Sequence, residues 1–235
     1  MRVRNMLGKI KRVIFTCNRE KFVAYLKSLG AEIGENVYFV NPRKTRFDYN
    51  RAPFIKIGNE VVICSGVSII AHDYSWTVLM KAYDEVYPTG GGQIIIGNNV
   101  FIGENSTILR NVSIGDNVII AANAVVTKNC ENNSVYAGVP AKKIMSLDEY
   151  REKMKESLKD EIHNNIQSIM NRKKRLPKQE EMMNFSFLFL PRNEESIQLV
   201  SKQSWIGCDK SKMVSLFKTS TPLYSSFEDF VENNK

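Results

Sequence analysis

Branched apolar residues return at every sixth position through the centre of the chain. Written in sixes, the sequence reads IGENVY from Ile33, then IGNEVV, ICSGVS and IIAHDY from Ile57 to Tyr74. It resumes with IGNNVF, IGENST, ILRNVS, IGDNVI, IAANAV and VTKNCE from Ile96 to Glu131. An amphipathic helix spaces apolar residues three and four apart and an ordinary strand two apart, so neither explains a strict period of six. A coil of short straight segments does. If each hexad forms one flat side of a prism, its first residue points to the axis and a small or branched residue four positions later packs at the next edge. Glycine at the second position of many hexads, with Asn or Asp close behind, reads as the permissive backbone of a tight corner. Three sides complete one turn, and stacked turns pair as parallel strands about 4.8 Å apart. The predicted fold is mainly β, a parallel solenoid over residues 31–145.

Outside the hexads the spacing becomes helical. REKFVAYLKSLG, with Phe22, Tyr25, Leu26 and Leu29, predicts a helix that caps one end of the solenoid within residues 1–30. At Ser146, SLDE reads as a capping box. Leu147, Tyr150, Met154, Leu158, Ile162, Ile166 and Met170 then form a one-sided stripe, so the extension 146–235 opens with a long helix expected to lie on the solenoid or on a partner subunit. His163 beside the stripe reads as an ordinary helix histidine. NRKKRLPK ends the helix, NFSFLFLP predicts a short buried strand or extended segment, and SFEDFVENN a final helix.

The rhythm breaks at SIIAHDYSW. His72 stands at an edge position where sister hexads carry Asn99, Asn105, Asn111, Asn117 and Asn123, and a solenoid wall has no structural use for an imidazole there. Directly after it an aromatic-rich excursion, YSWTVLMKAYDEVYPTGGG, leaves the wall, giving a predicted loop over 74–92. Loops of that length in compact proteins tend to be binding elements, and aromatic faces with polar tips suit carbohydrate. Trp76 and Tyr83 are its first candidates for acceptor contact, and Asp73 either positions the imidazole or binds an acceptor hydroxyl.

The hexads, the closing TKNCENNSVYAGVPAKKI and the histidine before a loop together resemble the hexapeptide-repeat, left-handed β-helix acyltransferases, in particular maltose, galactoside, capsule and lipopolysaccharide O-acetyltransferases. The resemblance covers roughly residues 30 to 145. It implies a left-handed coil and an acetyl-CoA-dependent O-acetyltransferase acting on a sugar hydroxyl in bacterial surface polysaccharide synthesis. It implies that His72 is the general base for direct attack of the acceptor on the thioester, help typically worth about 10² to 10⁴ in rate. It further implies coenzyme A lying along the outer wall between two subunits of a homotrimer. Backbone contacts then fall at Glu104 and Ala122, while Thr127 and Lys128 stand near the nucleotide end. Lys142 stands by the phosphates where the family often has arginine, with Lys143 as a neighbouring candidate. The chain departs from the family pattern at Glu104, where a small polar residue is usual, and at Phe101, where a tryptophan stands near the reacting centre. Lys142 keeps the charge but lacks the bidentate fork. For the acceptor, Asp48 lies in the right region, VNPRKTRFDYN, where the hexads fail.

Composition changes this picture little. At 235 residues and 43% apolar, the chain buries a real core. The formal net charge of +8 comes from scattered basic residues without a recognition module, so no nucleic acid is expected. The excess charge serves anionic small ligands, or weak peripheral contact of the basic N-terminus, MRVRNMLGKIKRVIF, with anionic lipid. Cys17, Cys64, Cys130 and Cys208 lie too far apart to signal a disulfide framework or a zinc site, which suits a reducing compartment. With no apolar run of about 18 to 20 residues and no signal segment, the expected location is cytoplasmic. No metal is expected, and two histidines are too few for a γ-type carbonic anhydrase on the same wall. N-acetylation of an amino sugar, acetylation of a xenobiotic, and a non-enzymatic scaffold remain as alternatives.

Overall fold

The computed structural model describes residues 18–87, 91–203, 207 and 209–235. The basic N-terminus with Cys17, the end of the excursion at 88–90, and Cys208 lie outside the described residues. Two compact units divide the chain, Met1–Asp148 and Glu149–Lys235.

The first unit begins with α1 (Arg19–Ser28), whose N-cap Asn18 accepts a hydrogen bond from the Lys21 amide. Successive coils follow. The first holds β1 (Glu32–Ile33), β2 (Tyr38–Phe39) and β3 (Arg46–Phe47), and the second β4 (Ile55–Ile57), β5 (Val62–Ile63) and β6 (Ser68–Ile70). After the excursion, which carries α2 (Trp76–Tyr83), come β7 (Ile94–Ile96), β8 (Val100–Ile102) and β9 (Thr107–Leu109). The fourth coil is β10 (Val112–Ile114), β11 (Val118–Ile120) and β12 (Val125–Val126), followed by β13 (Ser134–Ala137) and β14 (Lys142–Ser146). Through β12 every third strand pairs in parallel, and β13 and β14 extend one wall, giving β1-β4-β7-β10, β2-β5-β8-β11-β13-β14, and β3-β6-β9-β12. Only the last strand, β14, is antiparallel to its neighbour.

The predicted ladder fills the axis. Ile57, Ile63, Ile69, Ile96, Ile102, Ile108, Ile114, Ile120 and Val126 are buried, as are Val61, Val67, Val100, Val112, Val118 and Ala124 four positions after a ladder residue. Each such branched side chain stabilises the coil by about 1.5–3 kcal/mol relative to exposure. Ser106 occupies one of these sites with its hydroxyl 2.9 Å from the carbonyl oxygens of Gly103 and Ala121, so its polar atom is satisfied inside the core. At the open end, Phe22 and Leu26 of α1 are buried against the first coil, and Phe22 meets Phe39 edge-on at 4.9 Å.

The corners work differently from the sequence expectation. The left-handed backbone falls on the fourth hexad residue, with φ of 53° at Asn99, 58° at Asn105, 60° at Asn111, 57° at Asn117 and 59° at Asn123. Among residues other than glycine, asparagine enters that conformation most readily. The second-position glycines are needed for space instead. A Cβ at Gly58 would lie 2.6 Å from the carbonyl oxygen of Gly97, and one at Gly97 would lie 2.7 Å from that of Gly115. Amide side chains tie the coils together. Asp116 Oδ1 accepts from the Asn98 amide 18 residues away, and Asn117 accepts from Asn99 and donates to Asn133, each at 2.8 Å. The equivalent bond from the Asn59 amide to Asn98 spans 39 residues, 21 more than the regular spacing, which measures the excursion.

The second unit is helical. It comprises most of α3 (Leu147–Lys173), then α4 (Ser186–Phe189), α5 (Glu194–Lys202), α6 (Lys210–Thr219) and α7 (Phe227–Glu232). NFSFLFLP is not a strand: a 3₁₀ turn over Gln179–Phe185 runs into α4. A short apolar run reads alike for strand and helix. In a unit whose described residues are helical, helix satisfies the backbone without a partner strand. Ile162 and Ile166 of the α3 stripe join Met182, Phe189, Leu190, Val200, Phe217, Phe230 and Val231 in the core, whereas Met154 is exposed. His163 has its Nδ1 2.9 Å from the Asn234 carbonyl oxygen, a structural contact.

Candidate active site

By strand register, Ile69 pairs with Ile108 and Val126 with Ile108, so His72 shares its corner with Asn111 and Asn129 of the following coils. Asn111 has the left-handed backbone of a regular corner; His72 has no positive φ. The chain therefore does not turn at His72 and runs out into the excursion. It returns at Gly91, with φ of 109°, where a Cβ would lie 2.8 Å from the Ala71 carbonyl oxygen. The Gly92 amide donates to that same oxygen at 2.9 Å, closing the neck of the excursion.

The irregular end of the first coil supplies the partner of the imidazole. Asp48, immediately after β3, is only 7% exposed in its side chain, against 35% for His72. Its Oδ2 accepts from the Ala71 amide at 3.1 Å and makes a short contact with His72 Nδ1. With the proton on Nδ1 held by the carboxylate, a neutral imidazole presents the lone pair of Nε2. Tyr74 packs its ring 4.8 Å from the imidazole at 43°. Asp48 thus lies on the ring of His72, where the sequence had placed it among acceptor contacts.

Asp73 turns away from the imidazole. Its carboxylate accepts from the Ser75 amide at 2.8 Å and the Ser75 hydroxyl at 3.1 Å, and Arg110 bonds it at 3.2 Å. The Ser75 amide, then its hydroxyl and Arg110, hold Asp73 below the usual carboxylate range. The Asp73 side chain is 37% exposed, so its carboxylate keeps a face toward solvent beside these bonds. The predicted loop is in part a helix: Trp76 and Tyr83 lie seven apart on α2 and so share a side of it. No residue of α2 is buried, and Val78, Leu79 and Tyr83 are exposed.

The residues assigned to coenzyme A fall into separate sets within one chain, and Glu104 and Ala122 lie away from His72. Glu104 and Ala122 stack at the corner between the β8-β11 wall and the β9-β12 wall, joined by the bond from the Asn123 amide to the Glu104 carbonyl. Thr127 and Lys128 are exposed at the opposite edge of the β9-β12 wall, the edge that also carries His72. The width of that wall, roughly 15–20 Å for some six extended residues, separates the two sets. Lys142 pairs with Ala137 at the edge of β14 and is exposed, while Lys143 bonds Glu131 at 2.9 Å. Phe101 is 42% exposed on the outer face of the wall opposite the His72 corner, in register between Val62 and Ile119. Neither described thiol is poised as a nucleophile. Burial pushes Cys130 up to about 12, and burial with the Glu104 charge raises Cys64.

Three residues at the site were not singled out from the sequence: Tyr74, Arg110 and Arg51. Arg110 follows from coil stacking, because it sits one coil beyond Ala71. Arg51 lies where the hexads fail, so no periodic signal marks it.

The family described as Bacterial transferase hexapeptide (six repeats) matches residues 93–128. Protein CapG of Staphylococcus aureus is 40% identical over 132 residues, which are 56% of this chain and 75% of that protein. Solved structures similar to this one include a maltose O-acetyltransferase from Clostridium difficile 630, at 25% identity and TM-score 0.43 over 59% of this chain and 83% of that one. A galactoside acetyltransferase in complex with coenzyme A is 29% identical, with TM-score 0.45 over 63% of this chain and 82% of that one. With the hexapeptide family matched on the regular coils and 40% identity extending over three quarters of a relative, the chain belongs to the hexapeptide-repeat acyltransferases and is an enzyme built on their left-handed parallel β-helix.

Proposed function

We propose that this acyltransferase moves an acetyl group from acetyl-coenzyme A to a sugar hydroxyl, with His72 as general base, in bacterial surface polysaccharide synthesis. The observation that carries this reading is the buried Asp48 carboxylate on His72 Nδ1, at the point where a regular wall opens into an exposed excursion. An imidazole fixed in that way has one free nitrogen and one direction for it. Nε2 takes the hydroxyl proton as the acceptor oxygen attacks the thioester carbonyl. The tetrahedral intermediate collapses with cleavage of the C–S bond, and the imidazolium returns the proton to the departing thiolate. Asp48 is a positioning residue in this scheme, and Tyr74 packs on the ring.

Lys128 and Lys142 are exposed cations suited to the phosphates of the donor, with Thr127 beside the former. The ion pair of Lys143 with Glu131 makes it the weaker candidate. Because Glu104, Ala122 and Phe101 lie away from the His72 corner in one chain, a second copy is needed to complete the site, which favours a homotrimer. The exposed apolar side chains of α2 and the outer face of Phe101 suit such an interface. No helix among the described residues is long and apolar enough to cross a membrane. We place the reaction in the cytoplasm, where acyl-CoA donors are made.

Thiol release from acetyl-coenzyme A in the presence of candidate sugars tests the reaction. Undiminished release by His72→Ala would overturn the assigned base. Mild alkali distinguishes the expected ester from an amide, and sedimentation showing a fully active monomer would overturn the shared site.

A further inference from the structure

At the neck of the excursion, Arg51 has no counter-ion among the described residues. Arg51 lies three residues beyond Asp48, and its amide donates to the Asp48 carbonyl at 3.0 Å. Its backbone breaks the surrounding 3₁₀ turn, with φ of −119° and ψ of 19°. The half-buried side chain reaches the neck: a Cβ added at Gly91 would lie 3.5 Å from Arg51 Nε and 3.6 Å from its Cδ. The same Cβ would meet the carbonyl oxygen of Ala71, the residue before His72. The carboxylates on either side of the His72 corner are bonded elsewhere, Asp48 to His72 and Asp73 to Ser75 and Arg110. Among the described residues none makes a hydrogen bond or ion pair with the Arg51 guanidinium. A guanidinium held partly out of water without a partner is a ready receptor for a carboxylate or phosphate, which can accept from both arms of its fork.

We propose that Arg51 binds an anionic group of the acceptor, so that the sugar presented to His72 carries a carboxylate or a phosphate. This rests on the reading of His72 as the base for the acceptor hydroxyl, and it narrows the acceptor to acidic saccharides. Charged hydrogen bonds of about 1.5–3 kcal/mol correspond to roughly ten- to a hundred-fold in affinity.

The test uses the full chain saturated with coenzyme A and three probes, D-glucuronate, glucose 1-phosphate and D-glucose, titrated by calorimetry. At least one anion should bind about ten-fold or more tightly than glucose, and the preferred anion identifies the group. Arg51→Ala should remove that preference while leaving the affinity for coenzyme A and the thermal midpoint unchanged, and Arg51→Lys should restore part of it. Equal binding of charged and neutral probes, no binding of either anion, or a preference that survives Arg51→Ala would overturn the proposal. So would an Arg51→Ala variant that weakens all three probes alike, or coenzyme A instead, because the residue then braces the neck or serves the donor. Thiol release is followed separately with the same sugars. An Arg51-dependent preference without acetyl transfer supports the anion site and counts against the transferase reading; transfer without such a preference does the reverse.

Discussion

His72 and Asn111 occupy the same corner of the same prism, one coil apart, and do opposite things with the chain. Asn111 takes the left-handed backbone that folds a coil onto its next side. His72 does not, and 21 additional residues pass before the wall resumes. A corner can serve packing or chemistry, because the conformation that continues the repeat is the one that closes the exit. The irregular corner is held by a different set of bonds: a buried carboxylate from the coil below, an arginine from the coil above, and a glycine at the return.

Replacing His72 with the asparagine of its sisters gives the largest expected effect. His72→Asn should lower kcat for acetyl transfer by about 10²–10⁴, or roughly 3–5 kcal/mol in barrier, with an unaltered fold by circular dichroism. Full activity would erase the difference between the two corners. Asp48→Asn should cause a smaller loss within that range, because the ring keeps its place but loses the partner that fixes its proton on Nδ1. Its signature is a fall in kcat with the KM for acetyl-coenzyme A and the thermal midpoint unchanged, which a purely structural change would not produce.

On the regular side, Gly97→Ala should destabilise the first unit by about 1–3 kcal/mol in urea unfolding, since the new methyl meets the carbonyl of the next coil. A neutral result would mean that coil spacing is softer than the close approach indicates. Asn117→Ala should cost about 1–2 kcal/mol, for a left-handed backbone and two lost amide bonds. The smallest effect concerns Asp73. Its carboxyl is depressed, so the Ser75 and Arg110 contacts contribute above the ordinary carboxylate pKa of about 3.9 and are lost only as pH falls through the lower folded value. Carbon NMR titration should show Ser75→Ala moving Asp73 part of the way upward, because the hydroxyl bond is lost while the Ser75 amide still donates; no movement would remove the hydroxyl as a cause.

The repeat made much of the solenoid legible. A period of six names the ladder residues, their edge partners and the position of the break, because each depends on local spacing that the chain itself sets. His72 could be singled out because it departs from five asparagines. The pairing of Asp48 with His72 was not legible, although both residues were noticed. The contact spans 24 residues and passes through a stretch without repeat, so only the stacking of two coils brings it about. Arg51 was missed because it lies in that same stretch, and Arg110 because its contact depends on stacking one coil beyond Ala71. The helical unit was read less well: NFSFLFLP has the composition of a buried strand and becomes helix in helical surroundings.

What the sequence determined alone is whatever follows from spacing along the chain: a prism of hexads, a helix before it, helices after it, and a histidine at the break. The tertiary structure decided what spacing cannot carry. Glycine serves coil-to-coil clearance and asparagine the turn, because only neighbouring coils define the space around a Cβ. It also decided which carboxylate faces the imidazole, since an ion or hydrogen-bond partner is chosen by distance in space, and stacked coils make residues 24 or 39 positions apart into neighbours.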